Sequence, residues 1–184
     1  MQNTNEAREK IDYGIAKSIA LIGMPGTFKS TVGKLLAKKI GFTFCDTDHL
    51  YETKYGLSIP ATFATVGEEV FRERESIVVH EAASKQKTII ATGGGVVLRQ
   101  DNVDALKQAC TVVQLCAHVY TIFARIRNSN ARPLLKDITI EKLSSMYQGR
   151  ANLYTSAADF KIVTDGKQPK HIVEYILKKL SPNA

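Results

Sequence analysis

No apolar run in this 184-residue sequence approaches the ~20 residues of a membrane span, so no membrane partner is expected. The opening stretch, MQNTNEAREKIDYG, is polar and lacks the apolar core of a secretion signal, which points to the cytoplasm. Cysteine is scarce. Cys45, Cys110 and Cys116 are odd in number and lack metal-ligand spacing, so neither a disulfide framework nor a zinc cluster is expected. They read as buried, inert thiols in a reducing compartment. The four histidines, His49, His80, His118 and His171, include no i, i+4 pair that could face one metal. Internal repeats and low-complexity tracts are absent as well.

What is present suits one domain. Hydrophobic residues make up 44% of the chain, enough for a sizeable core. The net charge of +7 favours anionic partners without naming one. Nucleic acid is not expected, because basic residues are not grouped with stacking aromatics. Lys178 and Lys179 form the one tight late cluster, and they flank a helix end where cations are favourable anyway. A monomer is expected.

Short apolar runs alternate with amphipathic stretches. Strands are expected at Ser18–Gly23, Phe42–Cys45, Thr88–Ala91, Thr111–Leu115 and Asp159–Val163. Helices are expected at 31–40, 47–56, 68–84, 101–109, 118–126, 139–149 and 172–180, with Gly41 stopping the first and Gly56, Pro60 and Gly67 acting as breakers. This alternation implies a parallel α/β sheet covered on both faces. Residues 1–17 read as a frayed extension. Segment 126–138, polar, basic and broken by Pro133, reads as a mobile loop over a site.

The first strand runs into Gly23-Met24-Pro25-Gly26-Thr27-Phe28-Lys29-Ser30 and then a helix. A strand, a glycine-rich turn and Lys-Ser opening a helix form a phosphate loop. Backbone N–H groups from Gly26 through Thr31 would face nucleotide phosphates, Lys29 would neutralise them, and Ser30 would hold Mg²⁺. An ATP-dependent kinase is the expectation. Phe28 breaks the pattern, which asks for glycine there. A left-handed backbone at Phe28 would cost roughly 1–2 kcal/mol. The Asn-Lys-x-Asp motif of guanine recognition is missing.

Other residues are ambiguous alone. Asp46 and Asp48 could divide metal binding and proton acceptance, or one could cap a helix. Arg72 and Glu75 are three apart and could form a plain surface pair. The Gly93-Gly94-Gly95 triplet suggests close backbone approach to a ligand, with a flexible loop as the alternative. Arg132 and Arg150 could fork onto phosphate or carboxylate, or be solvated.

Together, GMPGTFKST, CDTD, GEEVFRERE, ATGGG, RPLL, RANLY and KQP resemble the shikimate kinases over about Ser18–Leu180. The resemblance implies a three-layer P-loop fold with a five-stranded parallel sheet, a domain over 18–184, a helical substrate subdomain at about 46–80 and a lid at about 126–138. It implies ATP-dependent phosphorylation of shikimate in aromatic amino acid biosynthesis. Lys29 and Ser30 match the phosphate and magnesium residues, and Asp46 the acid holding magnesium through water. Asp48 matches the acid that binds the shikimate hydroxyls and helps deprotonate one. Arg72 and Arg150 match the arginines on the substrate carboxylate, Gly94 a backbone donor, and Glu75 the residue orienting Arg72. Phe63 and Phe71 match pocket walls, and Arg132 the lid arginine that reaches the transferring phosphate. Arg125, Gln168 and Pro169 match groups around adenine. Phe28 for glycine and Asn152 for proline are departures. Two rivals stay open: a related kinase acting on gluconate, and a shikimate-binding protein that handles ATP poorly because of Phe28.

Overall fold

The computed structural model describes residues 13–127 and 138–181. Strands β1 (Ser18–Ile22), β2 (Thr43–Asp46), β3 (Thr88–Ala91), β4 (Cys110–Cys116) and β5 (Phe160–Val163) form one parallel sheet ordered β2-β3-β1-β4-β5. Among the described residues the α-helices are α1 (Lys29–Ile40), α2 (Thr47–Tyr55), α3 (Ile59–Ala83), α4 (Gln100–Ala109), α5 (Val119–Arg127), α6 (Ile140–Ala157) and α7 (Pro169–Leu180).

Every residue of β1 is buried, which explains its unbroken apolar run. Successive side chains point to opposite faces of the sheet. Ala20 and Ile22 join Val79, Val103, Ile122 and Leu143 from α3, α4, α5 and α6. Ile19 and Leu21 join Val32, Leu36, Ile172 and Ile176 from α1 and α7. The result is three layers. Parallel pairing sets Asp46 beside Ala91 and Leu21 beside Ala91, so the carboxyl ends of β1, β2 and β3 open together. Ligands of open α/β sheets bind at such an edge.

Two sequence expectations need correction. Pro60 does not break a helix. It lies in the first turn of α3, where its missing N–H has no intrahelical partner to lose, and Ser58 caps that turn by accepting from Ala61 N. Gly67 does interrupt α3, with φ 81° and ψ 176°, and the second half carries Arg72 and Glu75. Helix α6 runs on to Ala157 rather than ending at 149, because Gly149 is accommodated inside it. Of the expected extension, residues 1–12 lie outside the described residues, but Tyr13 and Ile15 pack on the α1/α7 side of the core. Of the expected lid, 128–137, including Arg132, lie outside them too.

Candidate active site

The turn between β1 and α1 is shaped by its backbone. Gly23 has φ 142°, and a Cβ there would lie 2.1 Å from Leu115 O, so glycine is required. Phe28 takes the left-handed conformation, φ 72° and ψ 16°, that the sequence pattern foreshadowed. That conformation carries a strain of roughly 1–2 kcal/mol. The ring packs on the α1/α7 core and lies beneath the Arg125 guanidinium, 3.9 Å from the ring centroid.

Lys29 is buried and donates to Gly23 O at 2.8 Å and Met24 O at 2.9 Å. Its ammonium thus sits inside the loop it must serve. Thr27 Oγ1 closes the turn by donating to Met24 O at 2.8 Å. Ser30 Oγ donates to Asp46 Oδ2 at 2.6 Å, and Asp46 Oδ1 accepts from Asp48 N at 3.1 Å. Asp46 is therefore both helix cap and partner of the loop serine. The capping alternative posed by the sequence holds for Asp46. Thr31 lies exposed on the first turn of α1.

The turn after β3 is the second centre. Gly93 N donates to Thr47 Oγ1 at 3.0 Å. A Cβ on Gly93 would lie 2.7 Å from Asp48 Oδ1 and 3.0 Å from Glu75 Oε1, so both carboxylates press on this glycine. A Cβ on Gly95 would lie 2.1 Å from Arg72 Nη1. Arg72 donates to Glu75 Oε2 at 2.8 Å and, from Nε and Nη2, to Glu68 Oε1 at 3.2 and 3.0 Å. This pair is no surface ornament, since side-chain exposure is 13% for Arg72 and 6% for Glu75. Burial opposes the charge on Arg72, but Glu75 and Glu68 outweigh it and hold the guanidinium pKa above its ordinary value. Burial also pushes the Glu75 carboxyl up, against the pull of Arg72.

Arg150, on α6, donates to Gly94 O at 3.0 Å. Gly94 also meets the phosphate loop, because a Cβ on it would lie 2.8 Å from Pro25 Cδ. The triplet is thus a crowded junction between two half-sites, not a flexible loop. Phe63 and Phe71 pack at 4.6 Å between ring centroids and, with Tyr51, form a small apolar cluster between α2 and α3.

Arg125 is held by Gly26 O at 3.2 Å, Thr164 Oγ1 at 2.9 Å and Thr164 O at 2.8 Å. Gln168 precedes α7 and Pro169 opens it, just after the turn in which Lys167 N donates to Thr164 O at 3.3 Å. Sequence reasoning missed Tyr154, whose hydroxyl donates to Gly94 O beside Arg150. Its signal was RANLY, in which only Arg150 and Asn152 drew notice. Burial pushes the Tyr154 phenol up to about 12, so it remains a donor at neutral pH. Thr47 was also missed, since a threonine after a strand gives no pattern.

The structure therefore brings Lys29, Ser30, Asp46, Asp48, Arg72, Glu75, Gly93–Gly95 and Arg150 around one sheet edge. The shikimate kinase family model matches residues 25–181. A shikimate kinase from Thermodesulfovibrio yellowstonii is 41% identical over 164 residues, covering 89% of this chain and 94% of the relative. One from Hahella chejuensis is 40% identical, covering 89% and 86%. The solved shikimate kinase from Acinetobacter baumannii, in complex with shikimate, superposes with TM-score 0.85 at 35% identity, covering 91% of this chain and 94% of that one. The Aquifex aeolicus enzyme gives TM-score 0.76 at 31% identity, covering 90% and 97%. The phosphate loop, the arginine-lined glycine turn and these matches agree: the chain belongs to the shikimate kinase family.

Proposed function

We propose that this chain transfers a phosphoryl group from ATP to a hydroxyl of shikimate, giving shikimate 3-phosphate and ADP in aromatic amino acid biosynthesis. One observation carries the reading. Asp48, Arg72 and Arg150 converge on a glycine turn that is in van der Waals contact with the phosphate loop. Two planar guanidinium groups suit the carboxylate of a small acid. The carboxylate of Asp48 suits the hydroxyls and can accept the proton of the attacking one. The likeness to the A. baumannii kinase solved with shikimate supports the same acceptor.

In this reading Gly26–Thr31 line the donor phosphates. The uncapped first turn of α1 directs its amides at them. Lys29 supplies positive charge where negative charge develops. Ser30 and Asp46 suit Mg²⁺. They are hard oxygen donors held 2.6 Å apart, and no three His, Cys, Asp or Glu side chains cluster among the described residues. Mg²⁺ commonly keeps waters and takes one or two protein oxygens with phosphates, so this sparse set fits it. ATP, when bound, supplies the phosphoryl group. Glu75 orients Arg72, and Phe63 and Phe71 wall the acceptor. Arg125, Gln168 and Pro169 flank the base, and Arg132 of the 126–138 lid reaches the transferring phosphate. The reading takes residues 18–184 as one cytoplasmic, monomeric kinase domain with its substrate subdomain at 46–80. No nucleic acid or membrane partner is involved.

A coupled assay of ADP release tests it. At millimolar substrate, release depends on shikimate and not on gluconate. Turnover with gluconate alone, or none with either while a control kinase works, overturns the reading.

A further inference from the structure

Phe28 does more than strain the loop. Its ring lies 3.9 Å below the Arg125 guanidinium, so no other planar group fits between them. Arg125 is not a passing neighbour. Three hydrogen bonds, to Gly26 O and to both oxygens of Thr164, fix its plane. Burial lowers its pKa relative to ordinary arginine, although the side chain is only part-buried. One of those bonds goes to the phosphate loop itself, which puts the plane at the rim of the phosphate cradle and within reach of a bound nucleotide.

A guanidinium face is a stacking platform for aromatic rings. A nucleotide base held near this loop by its phosphates would find the loop-side face of that platform in use. The occupant is a residue of the loop, directly before Lys29, and it is only half-buried. We propose that Phe28 sets donor selectivity: its ring takes the Arg125 face that the base would otherwise use, so the loop reads the triphosphate and largely ignores the base. This rests on ATP being the donor. It adds that the base contributes little to donor affinity in this chain, and that the Phe28 ring is the reason.

Binding measured without acceptor tests this. Titration calorimetry compares Mg²⁺ complexes of ATP and of inorganic tripolyphosphate on the unaltered protein, Phe28→Ala and Phe28→Gly. The unaltered protein should bind the two within a fewfold of each other. Phe28→Ala keeps the Cβ and the left-handed strain but removes the ring. It should gain about tenfold for ATP and nothing for tripolyphosphate. Backbone strain, present with and without ligand, is read separately as the rise in urea midpoint of Phe28→Gly over Phe28→Ala. The proposal is overturned if Phe28→Ala leaves ATP affinity unchanged or weakens it, since the ring would then be neutral or a partner of the base. It is equally overturned if both ligands improve alike in Phe28→Ala, since the ring would then obstruct the phosphates.

A second variant guards against misfolding. The chain has no tryptophan, so Phe28→Trp creates a single fluorescent reporter on the same platform. Because the ring keeps the seat, its emission should respond alike to ATP and to tripolyphosphate. A response to ATP that tripolyphosphate does not reproduce puts the base against the ring and overturns the proposal. None of these readouts uses shikimate, so they stand or fall apart from the identity of the acceptor.

Discussion

Asp48 has a carboxylate oxygen pressed against Gly93, with Glu75 on the same glycine and Arg72 beyond it. A group so placed can take a proton from an acceptor hydroxyl only while ionised. Asp48→Asn keeps the shape and removes the basicity. The expected outcome is a kcat lowered about 100-fold or more, with urea stability little changed. Steady-state kinetics beside urea unfolding checks this, and an unchanged kcat removes Asp48 from proton acceptance. Much at this scale was legible beforehand. Lys29 and Ser30 follow from a strand, a turn and a helix start in order, whereas Asp46 was ambiguous until the resemblance gave it a role. Tyr154 was not, because a tyrosine on a helix reads as core until the sheet is assembled and its hydroxyl is seen to reach Gly94 O.

The turn Gly93–Gly95 governs the next scale. Helices α2, α3 and α6 all lean on it, through Thr47, Arg72 and Arg150. Gly95→Ala would drive its methyl onto the far end of a flexible arginine, not onto backbone. The fold should survive while the Arg72 guanidinium is pushed off its place beside Glu75. The KM for shikimate should rise about tenfold and the KM for ATP stay within about twofold. A rise in both, or in neither, would show that Arg72 does not grip the acceptor. The strands were readable because burial on both faces leaves an unbroken apolar run, as in β1. Helix α3 was half missed because Pro60 and Gly67 look alike in sequence as breakers. Only Gly67 leaves helical geometry. In the same way Gly149 hid the second half of α6, since a glycine inside a helix costs about 1 kcal/mol without ending it.

Over the whole molecule, burial of ionisable groups sets the alkaline limit of stability. Cys110 lies at the start of β4, and burial pushes its thiol from 9.0 up to about 11. A raised folded pKa means that the folded state holds its proton more tightly than the unfolded one. The associated stability is complete below pH 9 and is lost as pH rises toward about 11. Tyr154 extends the same trend, its phenol raised from 10.0 to about 12. The urea midpoint should therefore fall between pH 8.5 and 11. Cys110→Ala should flatten that fall even if it lowers the midpoint at pH 8. Parallel curves for the two proteins would deny the thiol this role. Such coupling is invisible in sequence, because nothing local marks Cys110 as more deeply enclosed than Cys116.

Lys29 shows where this molecule trades robustness for readiness. Its ammonium is carried into the interior during folding and solvated there by the carbonyls of Gly23 and Met24. Withdrawing a charge from water is unfavourable, so the native state bears that burden whether or not any phosphate arrives. In return, the charge stands oriented before the reaction begins, and little reorganisation remains for the transition state to drive. The same residue is a weak point in the thermodynamics of the fold and a strong one in the kinetics of the reaction.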